Sequence, residues 1–225
     1  MSSELVKYTT EQGTEIRLTD SFIRDFISTS PTVTDKEVLA FALLCKAHRL
    51  DPTIKEAYLI KYGNSPATIV VGKDVFTKRA ARNPRFRGYE AGISVQTADG
   101  RFIRRAGSMA LMGETIVGGW CRVYIEGYEN PMFDEVTFEE YVGRRKDGQI
   151  NAQWVGKPGT MIRKVAIVHA LREAFPEDLC GLYDAAEMGV ETNDAPVDAP
   201  QDYEAPSDYG RNDEPYDTAE WSMEL

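Results

Sequence analysis

The sequence predicts an α+β fold in which a small antiparallel sheet packs with helices and a disordered acidic tail follows. Segments with the two-residue period of strands are mixed with segments of helical period, without the regular alternation of a parallel sheet. The last of the helical segments is long and predicts a core helix near the carboxyl end. Residues 188–225 show neither period and are rich in Asp, Glu and Pro, a composition typical of disorder. We therefore assign residues 1–187 to one folded domain and residues 188–225 to the tail.

The first predicted helix begins at Thr34, because Glu37 follows three residues later as in a capping box. It ends where Asp51-Pro52 interrupts the pattern. The apolar residues at 38–45 cover most of the helix circumference, which predicts a central place in the core.

Strands and two further helices are predicted after it. A hairpin is expected because residues 57–62 and 68–71 flank the turn sequence Gly-Asn-Ser-Pro. The other predicted segments are a helix over residues 73–82, alternating strands over residues 86–97, 102–105 and 115–128, and a helix from Pro158 to about Phe175.

Charge is distributed very unevenly along the chain. There are 26 basic and 36 acidic residues, for a net charge of −10, and the tail alone holds 11 acids and one base. Residues 1–187 are therefore neutral overall. Within them, residues 73–105 and residues 144–172 each carry +6, and the stretch between carries −6. Such blocks suit an anion-binding groove formed by distant segments, and suit separate solvated faces equally well.

Motifs for catalysis are sparse. The sequence has no P-loop and no G-x-G-x-x-G, which argues against a nucleotide-driven motor or a Rossmann enzyme. His48 and His169 have no Cys or His at ligand spacing, so a packed or surface role is expected for each. The three cysteines Cys45, Cys121 and Cys180 form no C-x-x-C pair, which predicts reduced thiols rather than disulfides or a zinc site.

No membrane association is expected. The longest apolar run, residues 38–45, is much shorter than the ~20 residues that span a bilayer. The first 20 residues lack the apolar stretch of a signal peptide. These observations predict a cytoplasmic protein.

One arginine interrupts the apolar stripe of the last helix. Met161, Val165 and Val168 share that stripe, with Arg172 in its middle and Lys164 at its edge. A guanidinium in an apolar stripe requires an internal carboxylate or an anion in a cleft as its partner. The residues by themselves do not decide between these two partners.

Aromatic residues are interleaved with the basic ones. Trp154, for example, lies between Arg144 and Lys157. Cations beside rings suit single-stranded nucleic acid, whose exposed bases stack. We assign two of the rings, Phe76 and Phe102, to the core instead.

Several short stretches together point to a family. They are Leu-Asp-Pro at 50–52, Lys-Glu-Ala-Tyr at 55–58, Val-Val-Gly at 70–72, Trp154, the run 158–175 and Gly-Leu-Tyr at 181–183. In order and spacing they resemble the RecT/Redβ (Bet) family of phage single-strand DNA annealing recombination proteins, over about residues 30–187. The resemblance implies ATP-independent annealing, DNA held in a basic groove, and assembly into rings or helical filaments. It implies no catalytic residues and no cofactor, with Mg²⁺ only as a counterion of the DNA.

The resemblance also implies which residues bind DNA. By position, Lys55, Arg163, Lys164 and Arg172 correspond to groove cations, which favours phosphate as the partner of Arg172. With the basic blocks, the predicted DNA-binding set is Lys55, Lys61, Lys73, Lys78, Arg79, Arg82, Arg104, Arg105, Arg144, Trp154, Lys157, Arg163, Lys164 and Arg172. Trp154 is expected to stack on bases. Family members often have further basic residues where this chain has Gly159-Thr160.

The expected partners are single-stranded DNA, the annealed duplex intermediate and further copies of the chain, in the cytoplasm of a bacterial host. In related proteins the C-terminal region contacts host single-strand-binding protein or a phage exonuclease. Trp221, Met223 and Leu225 at the end of the tail suggest such docking; alternatively the tail competes with DNA for the groove. Two other classes stay open: a DNA-binding module without annealing activity, and a metal-dependent nuclease that uses Asp134, Glu135, Glu139 and Glu140.

Overall fold

The computed structural model describes residues 4–145 and 147–190. These residues belong to the first of two units, Met1–Thr192, whereas the second unit, Asn193–Leu225, lies outside the described residues. The predicted disorder of the tail and the docking role of Trp221, Met223 and Leu225 therefore fall outside them and stay predictions. The mixed α+β class is confirmed.

The N-terminal part consists of two hairpins and a helix between them. Its elements are β1 (Glu4–Thr9), β2 (Glu15–Thr19), α1 (Asp20–Phe22) leading into a π-helical turn (Ile23–Ile27), α2 (Asp35–Ala47), a 3₁₀ turn (Pro52–Ile54), β3 (Ala57–Ile60) and β4 (Thr68–Val71). β1 pairs antiparallel with β2, and β3 pairs antiparallel with β4. The hairpin predicted around Gly-Asn-Ser-Pro is thereby confirmed, whereas β1 and β2 were not predicted.

Helix α2 begins with the predicted capping box. The Thr34 hydroxyl accepts a hydrogen bond from the Glu37 backbone N–H (3.3 Å), and the Glu37 carboxylate accepts one from the Thr34 N–H (2.7 Å). The predicted central place of α2 in the core holds for one face only, because Leu39 and Leu43 are 44% and 51% exposed. Only the face that carries Phe41 and its neighbours is buried.

The central sheet follows α3 (Lys73–Arg82), which has the predicted bounds. Its strands are β5 (Phe86–Gln96), β6 (Phe102–Ala106), β7 (Thr115–Ile125) and β8 (Met132–Thr137). They are all antiparallel in the order β6–β5–β7–β8. The first three strands match predicted segments, and β8 was not predicted.

The remaining elements are helices. They are α4 (Phe138–Tyr141), α5 (Ala152–Gly156), α6 (Pro158–Ala174) and α7 (Pro176–Leu179). Helix α6 packs on β5, β7 and β8, so close that a Cβ on Gly119 of β7 would lie 2.6 Å from the Ile162 carbonyl oxygen. A Cβ on Gly159 would lie 2.3 Å from the Ser108 carbonyl oxygen. That contact explains why a larger residue is absent at this position of the helix.

The core lies between α6, the inner face of the sheet, α2 and α3. Its largest fully buried side chains include Trp154, Phe41 and Phe76. The assignment of Phe76 to the core is therefore confirmed, whereas that of Phe102 is wrong because this ring is 55% exposed on the outer face of the sheet. Within residues 4–145 and 147–190, no helix combines the length and apolar character needed to cross a bilayer.

Candidate nucleic-acid interface

Lys61 is engaged inside the protein. Its Nζ donates to both carboxylate oxygens of Glu37, at 2.9 and 2.8 Å, and its side chain is only 7% exposed. Glu37 also accepts from the backbone N–H of Ala67 (2.8 Å). The bond from Lys61, with backbone N–H bonds, lowers the pKa of Glu37 to about 2. Lys61 therefore connects the β3–β4 hairpin to the start of α2. We correct the prediction that Lys61 binds phosphate, because its ammonium group does not face solvent.

Arg79 is likewise used to join distant segments. Its guanidinium donates to the carbonyl oxygens of His48 and Asp178 and lies 3.4 Å from Glu11, and its side chain is 10% exposed. Arg82 pairs with the same Glu11. Both line a cavity of about 760 Å³ in which three arginines meet three carboxylates. We correct the prediction for Arg79, whose donors are occupied by protein groups.

Arg172 forms an internal ion pair, which is one of the two arrangements that the sequence left open for it. It donates to both oxygens of Glu187, at 3.0 and 2.7 Å, and to the Leu182 carbonyl oxygen at 3.3 Å. Its guanidinium also lies 4.8 Å from the centre of the Tyr183 ring. The preference for phosphate as the partner of Arg172 is therefore corrected: a buried carboxylate, 3% exposed, occupies that place.

Two neighbours of Arg172 on α6 also have protein partners. Lys164 Nζ lies 3.1 Å from Asp184 Oδ2, and this aspartate is 1% exposed. Burial raises the pKa of Asp184. Arg163 donates through Nε to the Ala91 carbonyl oxygen (3.2 Å) on the sheet. The two basic residues therefore point to different parts of the protein, although they are adjacent in sequence.

Trp154 is a core residue. Its side chain is 1% exposed, and its ring packs edge-on against Phe138 with centroids 5.4 Å apart. A buried ring offers no face to a base, so the predicted stacking role of Trp154 is wrong for this structure.

Six predicted cations form ion pairs at the surface. The pairs are Lys73–Asp74, Lys78–Glu56, Arg82–Glu11, Arg104–Glu135, Arg105–Glu114 and Arg144–Glu139, with the basic side chains 30–48% exposed. Pairs in which both side chains are exposed, such as Lys73–Asp74 and Arg144–Glu139, are weak, of the order of 1 kcal/mol or less. A polyanion can replace these two carboxylates at small cost, whereas Glu56 and Glu114 are only 9% and 5% exposed and would be left unpaired inside the protein. The role of the six cations in DNA binding stays a prediction.

The acids proposed for a nuclease centre diverge. Asp134 Oδ2 lies 3.4 Å from His169 Nδ1, whereas Glu135 faces Arg104 on the opposite side of the sheet and Glu139 pairs with Arg144. Alternation along β8 separates the first two. Among the described residues, no cluster of three or more His, Cys, Asp or Glu side chains is arranged to hold a metal.

His169 connects four segments. Besides Asp134 of β8, it contacts Glu187 (Nε2 to Oε1, 3.3 Å) and the Tyr141 hydroxyl (3.0 Å to Nε2). The Asp134 carboxylate raises the pKa of His169, and burial opposes that rise. The histidine is thus packed, as expected, in a polar junction.

Two predicted cations, Lys55 and Lys157, are exposed and form no ion pair with any residue in the described part of the chain. Lys55 is held in the left-handed region (φ 63°) at the end of the 3₁₀ turn. Its carbonyl oxygen would lie 3.3 Å from a Cβ on Gly72, the residue before α3. Lys55 and Lys73 are therefore brought to the same point of the surface.

The C-terminal segment brings the α6 cations to this point. The Val71 backbone N–H donates to the Tyr183 carbonyl oxygen (2.8 Å), and Val71 and Asp184 form a parallel bridge. We call the resulting surface the β4–α6 patch; it consists of Lys55, Lys73, Lys164, Arg172 and Tyr183. The DNA-binding set predicted from the sequence contains the four cations of this patch, but it does not contain Tyr183. The nearby Gly181, with a positive φ of 75°, was the local signal of a sharp turn that could present Tyr183.

Comparison with known proteins identifies the family of this chain. The model of the RecT family matches residues 8–199. An uncharacterized protein of Ureaplasma parvum serovar 3 is 31% identical over 149 residues, which are 64% of this chain. The chain spans 58% of the length of that relative. Since the family model covers most of the sequence, including all the segments that form the β4–α6 patch, the chain belongs to the RecT family.

Proposed function

We propose that this protein binds single-stranded DNA and anneals complementary strands without ATP, in phage homologous recombination in the cytoplasm of a bacterial host. The observation that carries the proposal is membership of the RecT family over residues 8–199. The β4–α6 patch supports it, because segments far apart in sequence bring the exposed Lys55, the partly exposed Lys73 and an exposed ring together.

Annealing requires binding rather than covalent chemistry. One strand must be neutralised along its backbone and kept open until a second strand pairs with it. Phosphate contacts supply affinity that does not depend on sequence, and Watson–Crick pairing supplies the selection. Lys55, Lys73 and Lys157 are the best candidates for these contacts, since their ammonium groups are exposed or partly exposed. Mg²⁺ is proposed only as a counterion of the DNA.

We also propose that copies of the chain assemble head to tail, because a heterologous contact repeated along DNA produces a ring or a helical filament. The acidic stretch 106–143 of one subunit facing a basic block of the next is the proposed contact. The tail, residues 188–225, is proposed to dock host single-strand-binding protein or a phage exonuclease through its last residues. Deleting residues 191–225 tests the alternative that the tail competes with DNA: tighter binding supports competition, and unchanged binding across salt concentrations excludes it.

One experiment tests the main proposal. Two complementary oligonucleotides are mixed with the purified protein, without ATP, with and without Mg²⁺, and both pairing and strand length are followed. Pairing faster than in the protein-free mixture is expected. Binding without faster pairing would identify a DNA-binding module, and strands shortened only with Mg²⁺ would identify a nuclease; either outcome rejects annealing.

Variants locate the phosphate contacts. Each contact removed from a single strand lowers the slope of log Kobs against log salt by about 0.7. Lys55→Gln and Lys157→Gln are expected to show this loss. Lys46→Gln is the matched control, because Lys46 is also exposed but lies at the end of α2. An unchanged slope in both test variants would remove Lys55 and Lys157 from the interface.

A further inference from the structure

We infer that the Tyr183 ring is a base-binding subsite, on which an unpaired base of single-stranded nucleic acid stacks. The inference rests on the proposed function, because it places the base beside the strand that the β4–α6 patch holds.

The Tyr183 ring contacts a cation and is also open to solvent. The Arg172 guanidinium lies 4.8 Å from the ring centroid, and Tyr183 is nevertheless 46% exposed. A guanidinium on one face of a ring attracts its π electrons. A base arriving from solvent therefore meets a ring whose orientation is already held by its contact with Arg172.

The backbone around Tyr183 is fixed on both sides. Its carbonyl oxygen accepts the Val71 N–H (2.8 Å), and the Leu182 carbonyl oxygen accepts from Arg172 (3.3 Å). Leu182 is fully buried before the ring, and Asp184 is fully buried after it. Because the ring is already ordered, a base that stacks on it loses little of its binding free energy to ordering the protein. Arg172 is accordingly a positioning residue, which holds Tyr183 and Glu187 in place.

The charges around the ring favour a polyanion. The acids that balance Lys164 and Arg172 are only 1% and 3% exposed, so they lie beneath the surface. Lys55 is exposed and Lys73 is 33% exposed. Lys73 is paired with Asp74, whose side chain is 77% exposed, and an exposed pair of this kind costs little to separate. A strand that places a base on Tyr183 can therefore approach Lys55 directly and replace Asp74 at Lys73.

Three other exposed rings beside an arginine differ from Tyr183 in the acids around them. Phe102 and Phe133 have Arg104 above both rings, but Arg104 is paired with the partly exposed Glu135 on the same face. Tyr128 has Arg85 at 5.3 Å and is 53% exposed, yet Glu126 and Glu129 flank it in sequence. Tyr128 is consequently a matched control: an exposed tyrosine beside an arginine, outside the patch.

The test compares a thymidine oligonucleotide with an abasic oligonucleotide of equal length and charge, by fluorescence anisotropy over a salt series. The wild-type protein is expected to prefer the thymidine strand. In Tyr183→Leu we expect thymidine binding to weaken about tenfold, the order of one stacked base, and the preference over the abasic strand to shrink by the same factor. The salt slope should be unchanged, because no phosphate contact is removed.

Conservative variants separate stacking from structure. Tyr183→Phe and Tyr183→Trp retain a flat ring and are expected to keep the preference, as is Tyr128→Leu. The inference is overturned if Tyr183→Leu keeps the wild-type preference, or if Tyr183→Phe loses as much as Tyr183→Leu while thermal unfolding shows both folded. If the wild-type protein binds neither strand, the proposed function itself fails, which is a distinguishable outcome.

Discussion

Replacing Trp154 distinguishes most clearly between the role expected from the sequence and the role observed in the structure. A base-stacking residue is dispensable for folding, whereas a core residue is not. Trp154 is 1% exposed, is in contact with Phe138, and lies so near Gly143 that a Cβ there would be 2.9 Å from the indole ring. We therefore expect Trp154→Ala to reduce the free energy of unfolding with no specific effect on base binding.

The magnitude follows from the buried area. A tryptophan buries about 150–250 Å², which at about 25 cal/mol per Å² corresponds to about 4–6 kcal/mol. Measured Trp→Ala substitutions in cores cost about 3–5 kcal/mol, because the cavity relaxes in part. For a domain of this size such a loss lowers Tm by roughly 10 °C. Trp154→Phe keeps a ring against Phe138 and should lose less than half as much.

The assay combines thermal unfolding, followed by circular dichroism, with the comparison of thymidine and abasic oligonucleotides. Trp154→Phe, measured well below its Tm, is expected to keep the wild-type preference for the thymidine strand. The reasoning is refuted if Trp154→Ala unfolds at the wild-type temperature and loses that preference, since the indole would then be a DNA contact that the fold does not need.

Three further outcomes are expected. Gly159→Ala should destabilise by about 1–3 kcal/mol, because its Cβ would lie 2.3 Å from a backbone oxygen; an unchanged urea midpoint contradicts this. Lys61→Met should lower the urea midpoint and leave the salt slope of DNA binding unchanged, because its ammonium is paired internally; a shallower slope at wild-type stability would make Lys61 a phosphate contact. His169 has a raised pKa, so its stabilising effect is complete below about pH 6.5 and declines as pH rises through the folded value. The difference in urea midpoint between wild type and His169→Gln should shrink from pH 6 to pH 8, and a growing difference contradicts the sign.

The elements that could be predicted are those with local signals. Thr34 and Glu37 are three residues apart, and the hairpin turn is bounded by its own two strands, so both can be recognised without knowledge of the rest of the chain. Strand β8 was missed because its two adjacent acids, Asp134 and Glu135, have the appearance of a polar surface cluster. Its alternation in fact sends Asp134 towards α6 and Glu135 towards Arg104.

The site was predicted in part. The family resemblance assigned Lys55, Lys164 and Arg172 to one groove, but it could not tell which of these cations have partners within the protein. Both acids that engage the α6 cations, Asp184 and Glu187, lie in the segment after the helix, in a stretch whose Gly-Leu-Tyr motif was recognised without its contacts. Among the aromatic residues of the recognised motifs, Tyr183 is exposed to solvent and Trp154 is buried.

The sequence alone was sufficient for the α+β class, the three longest of the described helices, five of the eight described strands, and the RecT resemblance. Periodicity, capping and motif spacing are properties of neighbouring residues. Only the tertiary structure decided which cations face solvent and which ring is exposed. Lys61 meets Glu37 across 24 residues and Arg79 meets the Asp178 carbonyl across 99. Whether a charge is solvated or paired depends on such distant contacts, which residue type and local period do not encode.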